Sequence, residues 1–170
     1  MRLLGLGGMA LALALAGCGA PEPPTDKELI AAFTAKRAKF DALQTELCKL
    51  HYDLTINVDP AWSSPQIPVA DEKRLRALLG ELGVTNVKYL DTCQIWFTVW
   101  QSGVGSDAAY KKYRYGPPMY RVNEIKKPET DADPPDRDLN VFIGNRARIA
   151  SFEKKLDPDA DWWIELDHWQ

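Results

Sequence analysis

The sequence predicts an α+β fold in which two N-terminal helices pack on one face of an antiparallel β-sheet. Three observations predict it. Apolar residues recur at helical spacing after Thr25, they do so again between Asp71 and Leu82, and from Asn86 onward the period changes to two. The period-two runs are short and closely linked, which favours antiparallel pairing because parallel neighbours need a crossover of a dozen or more residues.

Each element has a local cause. Thr25-Asp26-Lys27-Glu28 is a capping box that opens a helix over about 26–50, with Leu29, Phe33, Phe40, Leu43, Leu47 and Leu50 on one stripe. Lys36 and Arg37 interrupt that stripe, and the Arg37 guanidinium is expected to snorkel over Phe33 and Phe40. Tyr52, Leu54, Ile56 and Val58 alternate with Asp53, Thr55 and Asn57, a half-buried strand that Asp59-Pro60 stops. Residues 59–68 are rich in Pro and Ser and read as a loop. Leu75, Leu78, Leu79 and Leu82 then form the apolar face of a second helix near Asp71 to Leu82, capped by Gly83.

Strands are expected at Asn86 to Leu90, Cys93 to Gln101, Ala109 to Tyr115 and Tyr120 to Ile125. Lys126 to Asp138 is polar and rich in Pro and Asp, so it is expected as an exposed loop. A helical turn at Leu139 to Ile143 and a hairpin of Ile149 to Lys155 with Asp161 to Asp167 complete the chain.

A different kind of segment precedes this domain. Arg2 is the only charge before Cys18, and Leu3 to Ala16 is an apolar run shorter than the roughly 20 residues needed to span a bilayer. It reads as the h-region of a secretory signal. Leu15-Ala16-Gly17-Cys18 is similar to the lipobox of bacterial lipoprotein precursors. That resemblance implies that Cys18 is diacylglycerated, that the signal is cut just before it, and that the new amine is acylated, giving membrane attachment by two or three chains. The expected organisation is a signal peptide at 1–17, a lipidated Cys and Pro-rich tether at 18–24, and a single α+β domain at 25–170. Gly19, rather than Asp, follows the lipidated Cys, which points to the periplasmic face of the outer membrane in a Gram-negative host.

Composition narrows the function classes. The chain carries 21 Lys+Arg against 24 Asp+Glu, which leaves no basic footprint for nucleic acid. Its three Cys include Cys18, so Cys48 and Cys93 remain as one pair in an oxidising compartment, where a disulfide persists. Two buried free thiols are the alternative. The only two His are His51 and His168, and no spacing supports a metal site or a catalytic triad. Asp157, Asp159 and Asp161 start like a calcium loop, but Trp162 and His168 stand where Gly and Glu are required. Ser102-Gly103-Val104-Gly105-Ser106 lacks the Lys of a phosphate loop and reads as a turn. No cofactor is expected.

Phe33-x3-Arg37-x2-Phe40-x2-Leu43, Glu81-Leu82-Gly83-Val84, Lys111-x-Tyr113-x-Tyr115-x-Pro117-Pro118 and Trp162-Trp163-Ile164 together resemble a family of small uncharacterised proteobacterial lipoproteins. The resemblance implies the same order of lipobox, Arg-bearing helix, short helix, Lys-x-Tyr strand and C-terminal aromatic strand. It brings no activity with it.

With helices on one sheet face, the other is either covered as well or exposes Trp96, Trp100, Tyr113, Tyr115 and Trp163 to a partner, with Lys111 and Arg114 nearby. The functional expectation is therefore a non-catalytic binding or interaction lipoprotein, anchored to membrane lipid through acylated Cys18 and bound to another envelope protein or polymer. Two alternatives stand beside it. One is an envelope enzyme such as a cell-wall hydrolase, which needs a close carboxylate pair such as Glu124 with Glu153 or Glu165 in a cleft. The other is an immunity-type lipoprotein that neutralises a toxin.

Overall fold

The computed structural model describes residues 22–103, 108–117, 138–143 and 150–168. The first helix, α1 (Asp26–Leu47), begins at the expected capping box: the Thr25 hydroxyl accepts from the Glu28 N–H, and the Glu28 carboxylate accepts from the Thr25 N–H at 2.7 Å. Leu29, Phe33, Phe40, Leu43 and Leu47 are buried along its inner stripe. The helix stops short of residue 50, where the chain turns with the Leu50 N–H donating to the Leu47 carbonyl. The second helix, α2 (Val69–Leu82), ends at Gly83 with φ 78°, a left-handed conformation that a residue without Cβ adopts at little cost.

Seven strands form one antiparallel sheet: β1 (Leu54–Asn57), β2 (Trp62–Ser64), β3 (Asn86–Leu90), β4 (Gln94–Ser102), β5 (Ala109–Tyr115), β6 (Ala150–Lys155) and β7 (Trp162–His168). Their spatial order is β2-β1-β3-β4-β5-β7-β6. The architecture is the α+β arrangement the sequence predicts, with two differences in detail. Strand β2 forms inside the stretch expected as a loop, at a sheet edge, where flanking prolines cost no ladder bonds. Strands β1 and β2 also separate the two helices, so α2 does not precede the sheet. A 3₁₀ turn at Leu139–Phe142 sits where a helical turn is expected. The expected strand at Tyr120 to Ile125 lies outside the described residues, as does nearly all of the expected loop at 126–138.

Both helices cover the same face. Phe33 and Phe40 of α1 pack on Phe97, Tyr113 and Trp162 with ring centroids 5.0–5.8 Å apart, while Leu75, Leu79 and Leu82 of α2 join the same core beside Leu54, Ile56 and Val87. The helices are tied together at Lys36 Nζ to the Glu81 carbonyl (2.8 Å), Lys39 to Glu81 (2.7 Å) and Arg74 to Glu46. The final hairpin puts β7 inward because Trp162, Ile164 and Leu166 supply the buried face.

Cys48, at the C-terminal cap of α1, is disulfide-bonded to Cys93 in the β3–β4 turn, the pairing expected from the sequence. Among the described residues no helix is long and apolar enough to cross a membrane.

Candidate functional site

The face of the sheet opposite the helices carries the candidate site. Residues directly opposite one another in an antiparallel pair share a face. Register therefore places Lys88 of β3, Trp96 of β4, Arg114 of β5, Trp163 of β7 and Lys155 of β6 in one row across five strands. Cations and indoles alternate along it. Lys88 Nζ lies 6.0 Å from the Trp96 ring centroid, and Arg114 and Lys155 flank Trp163 at 5.4 and 5.3 Å. Such stacking is worth about 0.5–1 kcal/mol at exposed sites and more where water is excluded. Lys88 and Lys155 are exposed, Trp96 and Trp163 are half-buried, and Arg114 is fully buried between the indoles. Trp62 on the edge strand adds a third indole to this face, 44% exposed.

Four of the residues expected there lie on the other side. The register of β4 against β5 shifts between Thr98 and Trp100, so that Trp100 opposes Lys111. This β-bulge inserts one residue and turns Trp100 over to the helix side, where it is buried. Lys111, Tyr113 and Tyr115 are on that side as well, because α1 covers the odd positions of β5. Tyr113 is 1% exposed and donates from its hydroxyl to the Leu29 carbonyl at 2.8 Å, and burial pushes its phenol pKa up. Tyr115 is half-buried with its ring 5.1 Å from that of Trp162. Of the expected patch, the structure brings together Trp96, Arg114 and Trp163.

The next row of this face is acidic. Glu165 is fully buried, accepts from Trp96 Nε1 at 3.2 Å and lies 3.2 Å from Arg114 Nε and 3.3 Å from Lys112 Nζ. Lys112 also pairs with Asp167, and Arg114 with Glu153. Burial, followed by the Asp167 charge, pushes the Glu165 carboxyl up to about 8 against the opposing pull of Lys112 and Arg114. Glu153 and Glu165 are cross-strand partners, and Glu124 lies outside the described residues. Arg114 contacts both Glu153 and Glu165.

The raised pKa has a consequence for stability. Between about pH 4.5 and 8 the folded chain retains a proton on Glu165 that the unfolded chain has released, so stability falls as pH rises through that window. Urea unfolding at pH 5.5, 7 and 8.5 is expected to show this decline in the parent chain and a flatter profile in Glu165→Gln. Equal slopes in the two proteins would reject the assignment.

A second charge cluster, which sequence reasoning missed, lies between α1 and the sheet. Lys111 Nζ is 0% exposed, pairs with Asp26 at 2.8 Å and Asp138 at 3.4 Å, and donates to the Pro24 carbonyl at 2.7 Å and Asn140 Oδ1 at 2.6 Å. Lys154 reaches Asp26 from β6 at 2.7 Å. Asn140 Nδ2 donates to the carbonyls of Pro23 and Pro24 at 3.1 and 3.2 Å. Burial pushes the Asp138 carboxyl up, but the N–H groups of Asn140 and Asp26 together with Lys111 outweigh it and leave the pKa lowered. The cluster fastens the start of the domain to β5 and to the 3₁₀ turn.

The remaining sequence candidates are structural. Arg37 lies over Phe33 at 5.2 Å and pairs with Asp41 and Asp157, each at 2.8 Å. Asp157 also accepts from the Asp159 N–H at 2.9 Å, which closes the last hairpin turn. His51 is exposed beyond α1. Among the described residues no group of three or more His, Cys, Asp or Glu is arranged to hold a metal ion. No protein-family model, curated protein or solved structure matches the chain.

Proposed function

We propose that this protein is a lipid-anchored lipoprotein of the bacterial envelope with a non-catalytic binding role, held to the periplasmic face of the outer membrane through acylated Cys18 and belonging with the small proteobacterial lipoproteins its motifs resemble. The observation that carries the binding role is the row Lys88-Trp96-Arg114-Trp163-Lys155 on the sheet face that the helices leave uncovered. Its two outermost cations are exposed beside half-buried indoles, a surface suited to an envelope protein or polymer that carries carboxylate or phosphate groups. Arg114 is neutralised by Glu153, so attraction for such a partner rests on Lys88 and Lys155.

Crosslinking in intact cells tests the reading. Lys88→Glu, a surface change, and Trp96→Ala are each expected to reduce the crosslinked adduct about tenfold while the unfolding transition of Lys88→Glu stays that of the parent. An undiminished adduct in both variants would reject the face as the binding surface. The anchor is tested separately by growth with an alkyne-bearing palmitate analogue: the parent chain is expected to take up label and Cys18→Ser to take up none.

A further inference from the structure

We infer that the end of the domain from which the tether departs is a membrane-docking surface, in which Ile30 and Val141 enter the headgroup region of the bilayer and Lys27 meets its phosphates. The inference rests on the reading that Cys18 is acylated.

The length of the tether carries the argument. Glu22 is the first described residue, and the chain from Cys18 to Glu22 spans at most about 14 Å even when fully stretched. Its root cannot swing, because the Pro23 and Pro24 carbonyls are held by Asn140 and Lys111. An acylated Cys18 therefore keeps the Pro24 end of the domain within reach of the lipid headgroups.

The surface at that end suits such a neighbour. Val141, next to Asn140, is 59% exposed, and Ile30, one turn into α1, is 40% exposed. Ile30 and Lys27 line an open hollow of about 230 Å3 together with Asp26, Asp138 and Lys154. The two aspartates are offset by Lys111 and Lys154, which lessens their repulsion of anionic lipid. Lys27 is exposed and free to reach a phosphate. Burying two aliphatic side chains adds only a modest term to that of the acyl chains, which makes this a device for orientation rather than for attachment. The docked end would hold α1 upright, its C-terminal turn about 33 Å farther from the bilayer.

The test uses the full acylated chain in vesicles of phosphatidylethanolamine and phosphatidylglycerol that contain nitroxide-labelled lipid. Val141→Cys and, at the start of α2, Val69→Cys each supply one free thiol for a fluorophore, since Cys48 and Cys93 are bridged. Quenching at 141 is expected to exceed that at 69 at least twofold, and Ile30→Asp is expected to lower the quenching at 141 toward the value at 69. Equal quenching at the two sites overturns the inference. Unchanged quenching at 141 in Ile30→Asp also overturns it, because proximity through the tether would then suffice. Flotation separates these failures from failure of the anchor: a chain that floats with the vesicles but is not quenched at 141 retains its anchor and lacks the docking surface. A chain that does not float removes both.

Discussion

Replacing Lys111 by Met is expected to lower the unfolding free energy by about 3 kcal/mol, the lower end of the range for removing one partner from a buried ion pair. The ammonium is 0% exposed and holds Asp26, itself 4% exposed, together with Asp138, the Pro24 carbonyl and Asn140 Oδ1. Met fills much of the same volume, so the loss is electrostatic and hydrogen-bonding rather than a cavity. Asp26 keeps Lys154 and the Leu139 N–H, which is why the upper end of the range is not expected. For a domain of this size the change corresponds to a fall in Tm of roughly 10 °C. Combining Lys111→Met with Asp26→Asn is expected to cost less than the sum of the single changes, since each alone strands a charge that the other removes. Thermal and urea unfolding of the three variants measure this. A Lys111→Met chain within 1 kcal/mol of the parent would show that the cluster does not hold the domain together.

That cluster also marks where sequence reasoning stops. Period-two alternation in β5 is a local property and puts Lys111, Tyr113 and Tyr115 on one face and Arg114 on the other, so the expectation of all four beside one patch misapplies it. Which face the helices cover is decided by distant packing, with Phe33 and Phe40 seated on Tyr113, and no short-range pattern encodes it. The bulge at Thr98/Trp100 has the same character: one inserted residue reverses Trp100, while Thr98, Val99 and Trp100 read as an unbroken strand. Features closed within a few residues were legible, among them the Thr25 capping box, the Gly83 cap, the Asp157 turn and Arg37 over Phe33. The row from Lys88 to Lys155 is half legible. Its indoles stand out as aromatic positions, but its alternation with cations exists only once five strands are in register.

Loss of the Cys48–Cys93 bridge is expected to be the most damaging change of all, costing about 4 kcal/mol. The bridge spans a sequence separation of 45 and so removes a long loop from the unfolded ensemble. It also joins the last turn of α1 to the turn between β3 and β4, at the opposite end of the helix from the Lys111 cluster, so that α1 is fastened at both ends. Cys93 pays a local cost for this position. Its φ of 59° lies in the left-handed region, which costs a residue with a Cβ roughly 1–2 kcal/mol. The two contributions can be separated by comparing Cys48→Ala/Cys93→Ala with Cys48→Ala/Cys93→Gly. Both lack the bridge, but glycine at 93 relieves the backbone, and even after its greater freedom in the unfolded chain that variant is expected to be the more stable by about 0.5–1 kcal/mol. Urea unfolding of the unreduced parent, the reduced parent and the two double variants checks both figures. If reduction leaves the midpoint unchanged, the bridge contributes nothing to stability. If the glycine variant is no more stable than the alanine variant, Cys93 sits in its turn without strain, and the turn rather than the bridge sets that conformation.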